Sequence, residues 1–237
     1  MTDYTTKRVA LISGASRGIG DHVAAALLAD GWLVSLGMRS PVLPQWAVGQ
    51  EEQVHLAGYD ANDVASEKHW VDDAFQRFGR IDAVVANAGI MIPKTVIEAD
   101  DDDIDAMFAV NVKAPRRLVK AAWEALCESG RGRVIILASL SGKRVKSASA
   151  GSYSLSKFAA VALAHAIRQA GFDRGVRATA ICPGFVATDM ATALSERPVD
   201  QMTQPADLAR IIAMLLSLPN EASVAEFAIN CQLEEFF

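Results

Sequence analysis

The sequence predicts an α/β protein in which helices cover both faces of a mostly parallel β-sheet. Short apolar runs alternate along the chain with longer amphipathic stretches, which is the pattern of repeated βαβ units. Most of the apolar runs are continuous rather than alternating in hydrophobicity, as expected of strands that are buried on both faces. Hydrophobic residues make up 51% of the 237 residues, which is ample for one large core. We therefore predict a single domain over residues 1–237.

The order of the elements follows from the same pattern. Strands are predicted at residues 8–13, 33–38, 54–57, 83–86, 134–138, 176–181 and 227–230. Helices are predicted at residues 19–30, 63–78, 101–128, 152–170 and 205–218. Two prolines predict a loop with at most a short helix over residues 40–53. The acidic run 100–103 is interpreted as a helix start rather than a metal cluster, because carboxylates are favoured at helix N-termini.

Composition excludes several classes of protein. The net charge of −5 offers no basic field for a nucleic-acid backbone. Residues 1–7 lack the layout of a secretory signal, and no apolar stretch reaches the roughly 18 residues of a membrane span. The three cysteines (Cys127, Cys182 and Cys231) are widely spaced and odd in number, which favours reduced thiols in a cytoplasmic protein. The four histidines have no paired-ligand spacing, so we expect no metal.

A glycine-rich turn follows the first predicted strand and runs directly into a helix. Strand, turn and helix are the context of a dinucleotide site, where glycines let the backbone approach a pyrophosphate and the helix N-terminus offers free N–H groups. The alternative is a plain glycine turn. The candidate cofactor-binding residues here are Gly14, Ser16, Arg17, Gly18, Ile19 and Gly20.

The end of the second predicted strand indicates which dinucleotide binds. An acidic residue there would accept hydrogen bonds from the ribose hydroxyls and repel a 2′-phosphate. This sequence has Met38 at that position, followed by Arg39, whose guanidinium can bind a phosphate. Arg17 supplies a second positive charge in the glycine-rich turn. The pattern favours NADP, with NAD still possible; the alternative is that both arginines are solvated surface groups.

Three side chains form a candidate catalytic set. Tyr153 and Lys157 are four residues apart, so they share one face of a predicted helix. A nearby ammonium favours the phenolate, so we expect Lys157 to lower the pKa of Tyr153. Ser139 follows a predicted strand, where it could donate a hydrogen bond to a substrate oxygen. Ser141 is the rival hydroxyl.

The glycine spacing Gly-x-x-x-Gly-x-Gly and the segment from Gly132 to Lys157 resemble the short-chain dehydrogenase/reductase family. The resemblance implies a single-domain Rossmann fold with a doubly wound sheet of about seven strands. It also implies that Ser139, Tyr153 and Lys157 act together, with Ser139 preferred to Ser141 because it lies three residues before Gly142, as the family pattern requires. Basic residues at positions 17 and 39 accompany NADP in that family. The sequence departs from the family pattern at two points. It has a serine at position 13, where threonine is usual, and one extra residue between Ser139 and Tyr153.

Other segments match the family in the same order along the chain. The resemblance assigns to Asn111 a backbone carbonyl that holds a water in a proton relay with Lys157. It assigns adenine contacts to Asp60 and Ala61, and nicotinamide contacts to the Pro-Gly segment, where Val186 and Thr188 would hold the carboxamide. The further cofactor-binding residues implied in this way are Asn87, Ala88, Gly89, Pro183 and Gly184.

The predicted function is therefore hydride transfer between NADP(H) and a small carbonyl or alcohol substrate, with Tyr153 as the acid or base. The alternatives are a catalytically silent NADP-binding regulatory protein of the same fold and an enzyme of the same family that performs dehydration or epimerisation. Residues 189–204 are expected to form a loop and short helix over the substrate. By resemblance we expect a homodimer or homotetramer whose subunits meet at the helices over residues 101–128 and 152–170.

Overall fold

The central feature of the fold is one parallel β-sheet. The computed structural model describes residues 7–233, so the ends of the predicted domain, residues 1–6 and 234–237, lie outside the described part. Each predicted strand is present, with bounds that differ by no more than two residues, and all pairings are parallel rather than mostly so. The strands are β1 (Val9–Ser13), β2 (Leu33–Met38), β3 (Val54–Gly58), β4 (Ala83–Ala86), β5 (Arg133–Leu137), β6 (Arg177–Pro183) and β7 (Glu226–Ile229).

The order of the strands fixes where a ligand can bind. The sheet runs β3-β2-β1-β4-β5-β6-β7, so the chain moves outward in one direction from β1 to β3 and in the other from β4 to β7. The loops that leave β1 and β4 therefore diverge to opposite faces and open a crevice at the carboxyl edge of the sheet. This doubly wound arrangement confirms the predicted fold class.

Helices cover both faces of the sheet, as the continuous apolar strands predicted. They are α1 (Gly18–Ala29), α2 (Ser66–Phe78), α3 (Asp101–Phe108), α4 (Ala114–Ala121), α5 (Trp123–Glu128), α6 (Gly151–Gly171), α7 (Asp189–Leu194) and α8 (Pro205–Ser217). On one face, Leu11 of β1 packs in a cluster with Trp70 of α2 and Leu118 of α4. On the other face, Ile12 joins Leu27 of α1 and Ile212 of α8. Alternate residues of one strand thus enter two separate cores.

The long helix predicted over residues 101–128 is interrupted in the structure. It begins as expected, with Asp100 as the N-cap of α3 and a reciprocal hydrogen bond between its backbone and the Asp103 carboxylate, which confirms the acidic run as a helix start. A π-helical turn, Ala109–Lys113, then separates α3 from α4. Pro115 has no N–H, so it cannot donate the regular helical bond to the carbonyl of Asn111. The prediction of one continuous helix was wrong because it gave this proline no weight.

The described residues contain neither a candidate membrane span nor a candidate metal site. Among residues 7–233, no helix combines the length and the apolarity that crossing a lipid bilayer requires. Within the same range, no three His, Cys, Asp or Glu side chains are grouped as a metal site would need.

A glycine on β2 is required by the packing of α2. A Cβ at Gly37 would lie 2.5 Å from the indole ring of Trp70, which is buried and donates from Nε1 to the Ser35 hydroxyl at 2.7 Å. We expect Gly37→Ala to lower the free energy of unfolding by about 1–3 kcal/mol, because the rigid indole cannot give way. Urea denaturation measures the change.

Gly58, on the neighbouring strand β3, is the matched control for this substitution. It is exposed, and a Cβ there would meet nothing within 4 Å. Gly58→Ala should therefore change stability by less than about 0.5 kcal/mol. Equal effects of the two substitutions would contradict the packing argument.

Candidate active site

A cleft of about 980 Å³ lies at the carboxyl edge of the sheet, where the strand order places a crevice. Nearly all residues predicted to bind cofactor or perform catalysis line it. Two of them do not: Gly20, which is packed behind the glycine-rich turn, and Asn111, which lies buried behind the cleft wall. The lining residues come from the ends of β1 to β7, so segments that are far apart in sequence meet at this edge.

The glycine-rich turn is held flat against the loop that follows β4. Gly14 and Gly18 have φ angles of +66° and +60°, and a Cβ at Gly20 would lie 2.4 Å from the carbonyl oxygen of Gly14. The Asn87 amide donates to the backbone oxygens of Ser13 and Gly14 at 3.0 and 3.1 Å. No side chain fits between the glycine-rich turn and the loop after β4, so the backbone of the turn itself borders the cleft. This geometry fits a pyrophosphate bound at the start of α1.

Ser13 explains why a hydroxyl is needed at the end of β1. Its Oγ accepts hydrogen bonds from the backbone N–H groups of Asn87 and Ala88, at 3.0 and 3.1 Å. Serine supplies the same acceptor that threonine would, so the departure from the family pattern at this position leaves the link between β1 and β4 intact.

The end of β2 presents a small polar cavity next to the main cleft. Ser16, Arg39 and Ser40 line it, with a volume of about 340 Å³. One guanidinium and two hydroxyls are suitable donors for a phosphate group. Arg17 does not line this second cavity. Its guanidinium instead donates to the Asp189 carboxylate at 2.5 Å, and this exposed ion pair joins the glycine-rich turn to the start of α7.

Tyr153, Ser139 and Lys157 meet inside the cleft, as their pattern in the sequence predicted. Tyr153 and Lys157 are buried on the first two turns of α6, and the Tyr153 phenol is near enough to the Ser139 side chain for that side chain to act on its pKa. Lys157 donates from Nζ to the carbonyl oxygen of Leu137 at 2.7 Å and lies 5.6 Å from the centre of the Tyr153 ring. Of the two candidate serines, Ser139 rather than Ser141 acts on the Tyr153 phenol. The irregular segment between Gly142 and α6 accommodates the longer spacing.

The pKa of Tyr153 moves in the direction opposite to our prediction. Burial raises the pKa of the phenol to about 12, although the neighbouring Ser139 side chain acts to lower it. Burial also lowers the pKa of Lys157 to about 8. The prediction of a lowered tyrosine pKa was wrong here because both groups are desolvated together, and desolvation disfavours each charged form. Tyr153 is thus a protonated phenol near neutral pH.

Asn111 has a positioning role that the sequence did not reveal. Its side-chain oxygen accepts from the backbone N–H of Ile90 at 2.9 Å. Its amide nitrogen donates to the carbonyl of Ile90 and to the Ser156 hydroxyl, both at 2.9 Å. These bonds connect the loop after β4 to α6, one residue away from Lys157. The π-helical turn directs this side chain inward, so the observed contacts belong to the amide rather than to the backbone carbonyl.

The segment after β6 forms the opposite wall of the cleft. Gly184 donates from its backbone N–H to Ile229 at 2.8 Å, and the Thr188 hydroxyl donates to the carbonyl of Val186 at 3.2 Å. A Cβ at Gly18 would lie 3.2 Å from Thr188, so this segment faces the glycine-rich turn across a narrow gap. Burial raises the pKa of the neighbouring Cys182 thiol to about 11, which keeps it protonated and a weak nucleophile.

Residues 189–204 contain the short helix α7 and a 3₁₀ turn, Val199–Gln201. Met190 and Leu194 of α7 line the cleft. The helix and loop character matches the prediction, while their covering of a substrate stays a prediction.

Several lining residues were missed by reasoning from the sequence. They belong to no motif and reach the cleft only through the fold: Lys146, Ser147, Ser149, Asn230 and Gln232. The three from the loop before α6 stand within the family's active-site stretch, where the extra residue was the one signal of a distinct local structure.

Comparisons with known proteins agree with this geometry. Residues 8–198 match the family model described as short chain dehydrogenase. An agropine synthesis reductase from Rhizobium rhizogenes is 39% identical over 229 residues, which cover 95% of this chain and 53% of that protein. The chain thus spans about half the length of the agropine synthesis reductases that it matches. The oxidoreductase UcpA of Escherichia coli K12 is 30% identical over 88% of this chain and 81% of its own length.

A solved structure is similar over nearly the whole chain. It is an alcohol dehydrogenase from the archaeon Thermococcus sibiricus in complex with 5-hydroxy-NADP, with a TM-score of 0.86 and 30% identity. The match covers 97% of this chain and 100% of that chain. The matched residues include the glycine-rich turn, Ser139, Tyr153 and Lys157, and the chain belongs to the short-chain dehydrogenase/reductase family.

Proposed function

We propose that this protein is an NADP-preferring oxidoreductase that interconverts a small carbonyl compound and its alcohol. The observation that carries the proposal is that Tyr153, Ser139 and a buried Lys157 line one cleft, which is bordered by a glycine-rich turn. A purely regulatory nucleotide-binding protein would have no need of this buried set of polar groups.

Tyr153 has the role of the acid in the reductive direction. NADP(H), when bound, supplies or accepts the hydride at the substrate carbon. Tyr153 gives its phenolic proton to the carbonyl oxygen as negative charge develops there, and Ser139 donates a hydrogen bond to the same oxygen. In the oxidative direction the Tyr153 oxygen accepts the proton of the alcohol. The raised pKa of Tyr153 keeps the phenol protonated, which suits reduction near neutral pH.

Lys157 and Asn111 support this proton transfer. The Lys157 ammonium stands close enough to the Tyr153 ring to stabilise negative charge on the phenol oxygen as it forms. Asn111 is a positioning residue, since its amide joins the loop at Ile90 to Ser156 of α6. The family role of its backbone carbonyl, to hold a water that returns the proton, is supported by Pro115, which cannot donate the regular helical bond to that carbonyl.

The preference for NADP rests on the end of β2. Arg39 and the hydroxyls of Ser16 and Ser40 line a small cavity in which a 2′-phosphate would find charged and neutral donors. The related alcohol dehydrogenase whose structure holds 5-hydroxy-NADP supports the same choice. Asp60 and Ala61 would contact the adenine, and Val186 and Thr188 the nicotinamide, as the family pattern implies.

Substitution of Arg39 tests the choice of cofactor. We expect Arg39→Ala to weaken NADPH binding by about 10- to 100-fold and NADH binding far less, because a charge-assisted hydrogen bond to the 2′-phosphate is lost. Fluorescence titration with the two cofactors measures both dissociation constants. Arg116→Ala, which removes an exposed arginine of α4 that does not line the cleft, is the control. Equal losses for NADPH and NADH would contradict the assignment.

The activity itself is tested with the purified protein and a panel of aldehydes and ketones. Oxidation of NADPH, followed by its near-ultraviolet absorbance, should depend on the carbonyl compound. The reductive direction is favoured by the relatives from Rhizobium rhizogenes, which are named reductases. A chain that binds NADPH and reduces nothing would instead fit the regulatory alternative, and turnover without net NADPH consumption would fit dehydration or epimerisation.

A homo-oligomer is also proposed, in which α6 contributes to the contact between subunits. Leu155 and Phe158, three residues apart on one face of α6, are 46% and 44% exposed and offer an apolar surface for such a contact. Light scattering of the purified protein distinguishes a monomer from a dimer or a tetramer.

A further inference from the structure

The loop that follows β3 borders the cleft and rests on a buried ion pair. Asp60 and Ala61 of this loop line the cleft, and Asp60 is exposed. Behind them, Glu67 of α2 accepts a hydrogen bond from Arg117 of α4 at 2.8 Å. The Glu67 side chain is only 2% exposed. The ion pair thus supports the loop without being part of the cleft lining.

Arg117 joins this ion pair to the loop. Its terminal nitrogen Nη2 donates to the carbonyl oxygen of Ala61 at 2.7 Å and to Glu67 Oε1 at 2.8 Å. Both hydrogens of that nitrogen are used, so the guanidinium cannot rotate and keep both bonds. Glu67 in turn holds the arginine in place by pairing with its charge, as a buried carboxylate requires. The Ala61 carbonyl is therefore fixed by both α2 and α4.

The peptide that Arg117 fixes also holds the Asp60 carboxylate. The carbonyl of Ala61 and the backbone N–H of Asn62 belong to one planar peptide unit, so the first cannot turn without the second. That N–H donates to Asp60 Oδ1 at 3.0 Å, and the Asn62 side-chain amide donates to the same oxygen at 3.3 Å. Neither bond uses Oδ2, which is left for a ligand. Arg117 thus orients the Asp60 side chain through the peptide between Ala61 and Asn62.

The backbone of Asp60 has a separate attachment. The hydroxyl of Ser66, the buried first residue of α2, donates to the carbonyl of Asp60 at 2.9 Å and accepts from its backbone N–H at 3.3 Å. These two bonds do not involve Arg117. Removing Arg117 should therefore disturb the direction of the Asp60 carboxylate without releasing the loop from α2.

An oriented carboxylate at this position suits the amino group of adenine. Arg39, at the end of β2, is the residue proposed above to bind the 2′-phosphate, so the adenine belongs on the side of the neighbouring strand β3. A carboxylate only accepts hydrogen bonds, and the adenine amino group only donates them. Hypoxanthine has an oxygen in place of that amino group, and this oxygen cannot donate to Asp60.

We propose, on the basis of the cofactor proposed above, that Arg117 is a positioning residue for the recognition of adenine. Anchored by Glu67, it orients the Asp60 carboxylate so that Oδ2 accepts a hydrogen bond from the adenine amino group. Arg117 itself does not line the cleft. Its loss should weaken recognition of this one amino group and leave the rest of the cofactor site intact.

The test measures how strongly the protein prefers adenine to hypoxanthine. Fluorescence titration gives the Kd of NADPH and of deamino-NADPH, in which an oxygen replaces the adenine amino group. We expect the wild type to bind NADPH about tenfold or more tighter, because the analogue cannot make the hydrogen bond to the carboxylate. Reduced nicotinamide mononucleotide, which lacks the adenine nucleotide, reports on the remainder of the site.

The variants separate the bond to Ala61 from the buried charge. Arg117→Met alone would leave the Glu67 carboxylate buried without its partner, which destabilises a fold strongly, so it is made together with Glu67→Gln. Glu67→Gln by itself keeps an oxygen that accepts from Arg117 and should retain most of the preference for NADPH. The double variant should reduce the preference to less than about threefold and leave the Kd of the mononucleotide unchanged. Glu67→Gln/Arg116→Met, at the neighbouring exposed arginine of α4, is the matched control.

A further substitution tests whether the effect passes through Asp60. Asp60→Ala, at an exposed position, removes the carboxylate and should itself abolish the preference for NADPH. When Asp60→Ala is combined with Glu67→Gln, adding Arg117→Met should change the ratio of the two Kd values no further, since the two residues act in series. A further change would show that Arg117 acts by another route and would overturn the proposal.

The remaining outcomes separate this proposal from the function on which it rests. A preference that survives in Glu67→Gln/Arg117→Met, or that is already lost in Glu67→Gln, overturns the role of Arg117. Equal weakening of all three ligands would indicate a general effect on the fold and overturns it too. Equal binding of NADPH and deamino-NADPH to the wild type overturns adenine recognition by Asp60, while the proposed reaction stands. If the wild type binds NADH but not NADPH, the series with NADH and deamino-NADH decides on Arg117 and only the preference for NADP falls. If no dinucleotide binds, both proposals fall.

Discussion

Replacing Tyr153 by phenylalanine is expected to lower kcat/KM for carbonyl reduction by about a thousandfold, the usual contribution of a positioned general acid. The substitution removes one hydroxyl from the cleft that Ser139 also lines and leaves the buried ring in place. Because the phenol has a pKa of about 12, it remains protonated throughout the neutral range, so the loss should be similar from pH 6 to pH 9. The loss is measured by steady-state kinetics in two series: NADPH is varied in the first, and the carbonyl compound is varied at saturating NADPH in the second.

Tyr59 provides a matched control for that experiment. It is a second buried tyrosine in the lining of the same cleft, and its ring packs on Trp70 at a centroid distance of 5.0 Å. Tyr59→Phe also removes a hydroxyl without removing a ring, and it should retain nearly full activity. Full activity in Tyr153→Phe would refute the role of this residue as the acid, and equal losses in the two variants would indicate a general effect on the fold.

Replacing Lys157 by methionine is expected to abolish turnover and, at neutral pH, to stabilise the folded protein. Burial lowers the pKa of Lys157 to about 8, well below the value of about 10.4 in an unfolded chain. Below pH 8 the folded protein therefore holds an ammonium that would be better solvated when unfolded, at a cost of about 3 kcal/mol. Methionine avoids this cost but forfeits the hydrogen bond to Leu137, which is worth about 1 kcal/mol.

The sign of the effect depends on pH in a way that can be checked. Between pH 8 and pH 10 the unfolded wild-type chain binds more protons at this lysine than the folded protein does, so wild-type stability rises with pH. The advantage of Lys157→Met should therefore be largest at pH 7 and shrink toward pH 10, as read from urea midpoints. Lys120→Met, at an exposed position of α4, should show no such trend. If Lys157→Met is less stable than the wild type at pH 7, the buried Lys157 ammonium stabilises the folded protein, and the prediction is wrong.

Those features of the site that depend on local signals could be predicted from the sequence. The glycine-rich turn needs only a strand, a positive φ at Gly14 and Gly18, and a helix, and these are adjacent in the chain. Tyr153 and Lys157 share a helix face because of their spacing alone. The bounds of the strands could be predicted for the same reason, since continuous apolar runs end where the chain leaves the core.

Features that depend on burial or on distant segments could not be predicted. The direction of the Tyr153 pKa shift is set by how deeply the pair lies in the protein, which spacing does not reveal. The ion pair between Arg17 and Asp189 joins residues 172 positions apart. Asn230 and Gln232 likewise reach the cleft only because β7 is at the edge of the sheet next to β6.

The π-helical turn at Ala109–Lys113 makes this region sensitive to the number of residues as well as to their identity. A π-helical turn holds one residue more than a regular turn, so deleting one residue from it would continue α3 into α4 as a regular α-helix. Pro115 would then lie inside that helix, where its ring clashes with the carbonyl four residues earlier, and the amide of Asn111 would lose its alignment with Ile90 and Ser156. The extra residue of this turn therefore accommodates Pro115 and directs Asn111 at the same time.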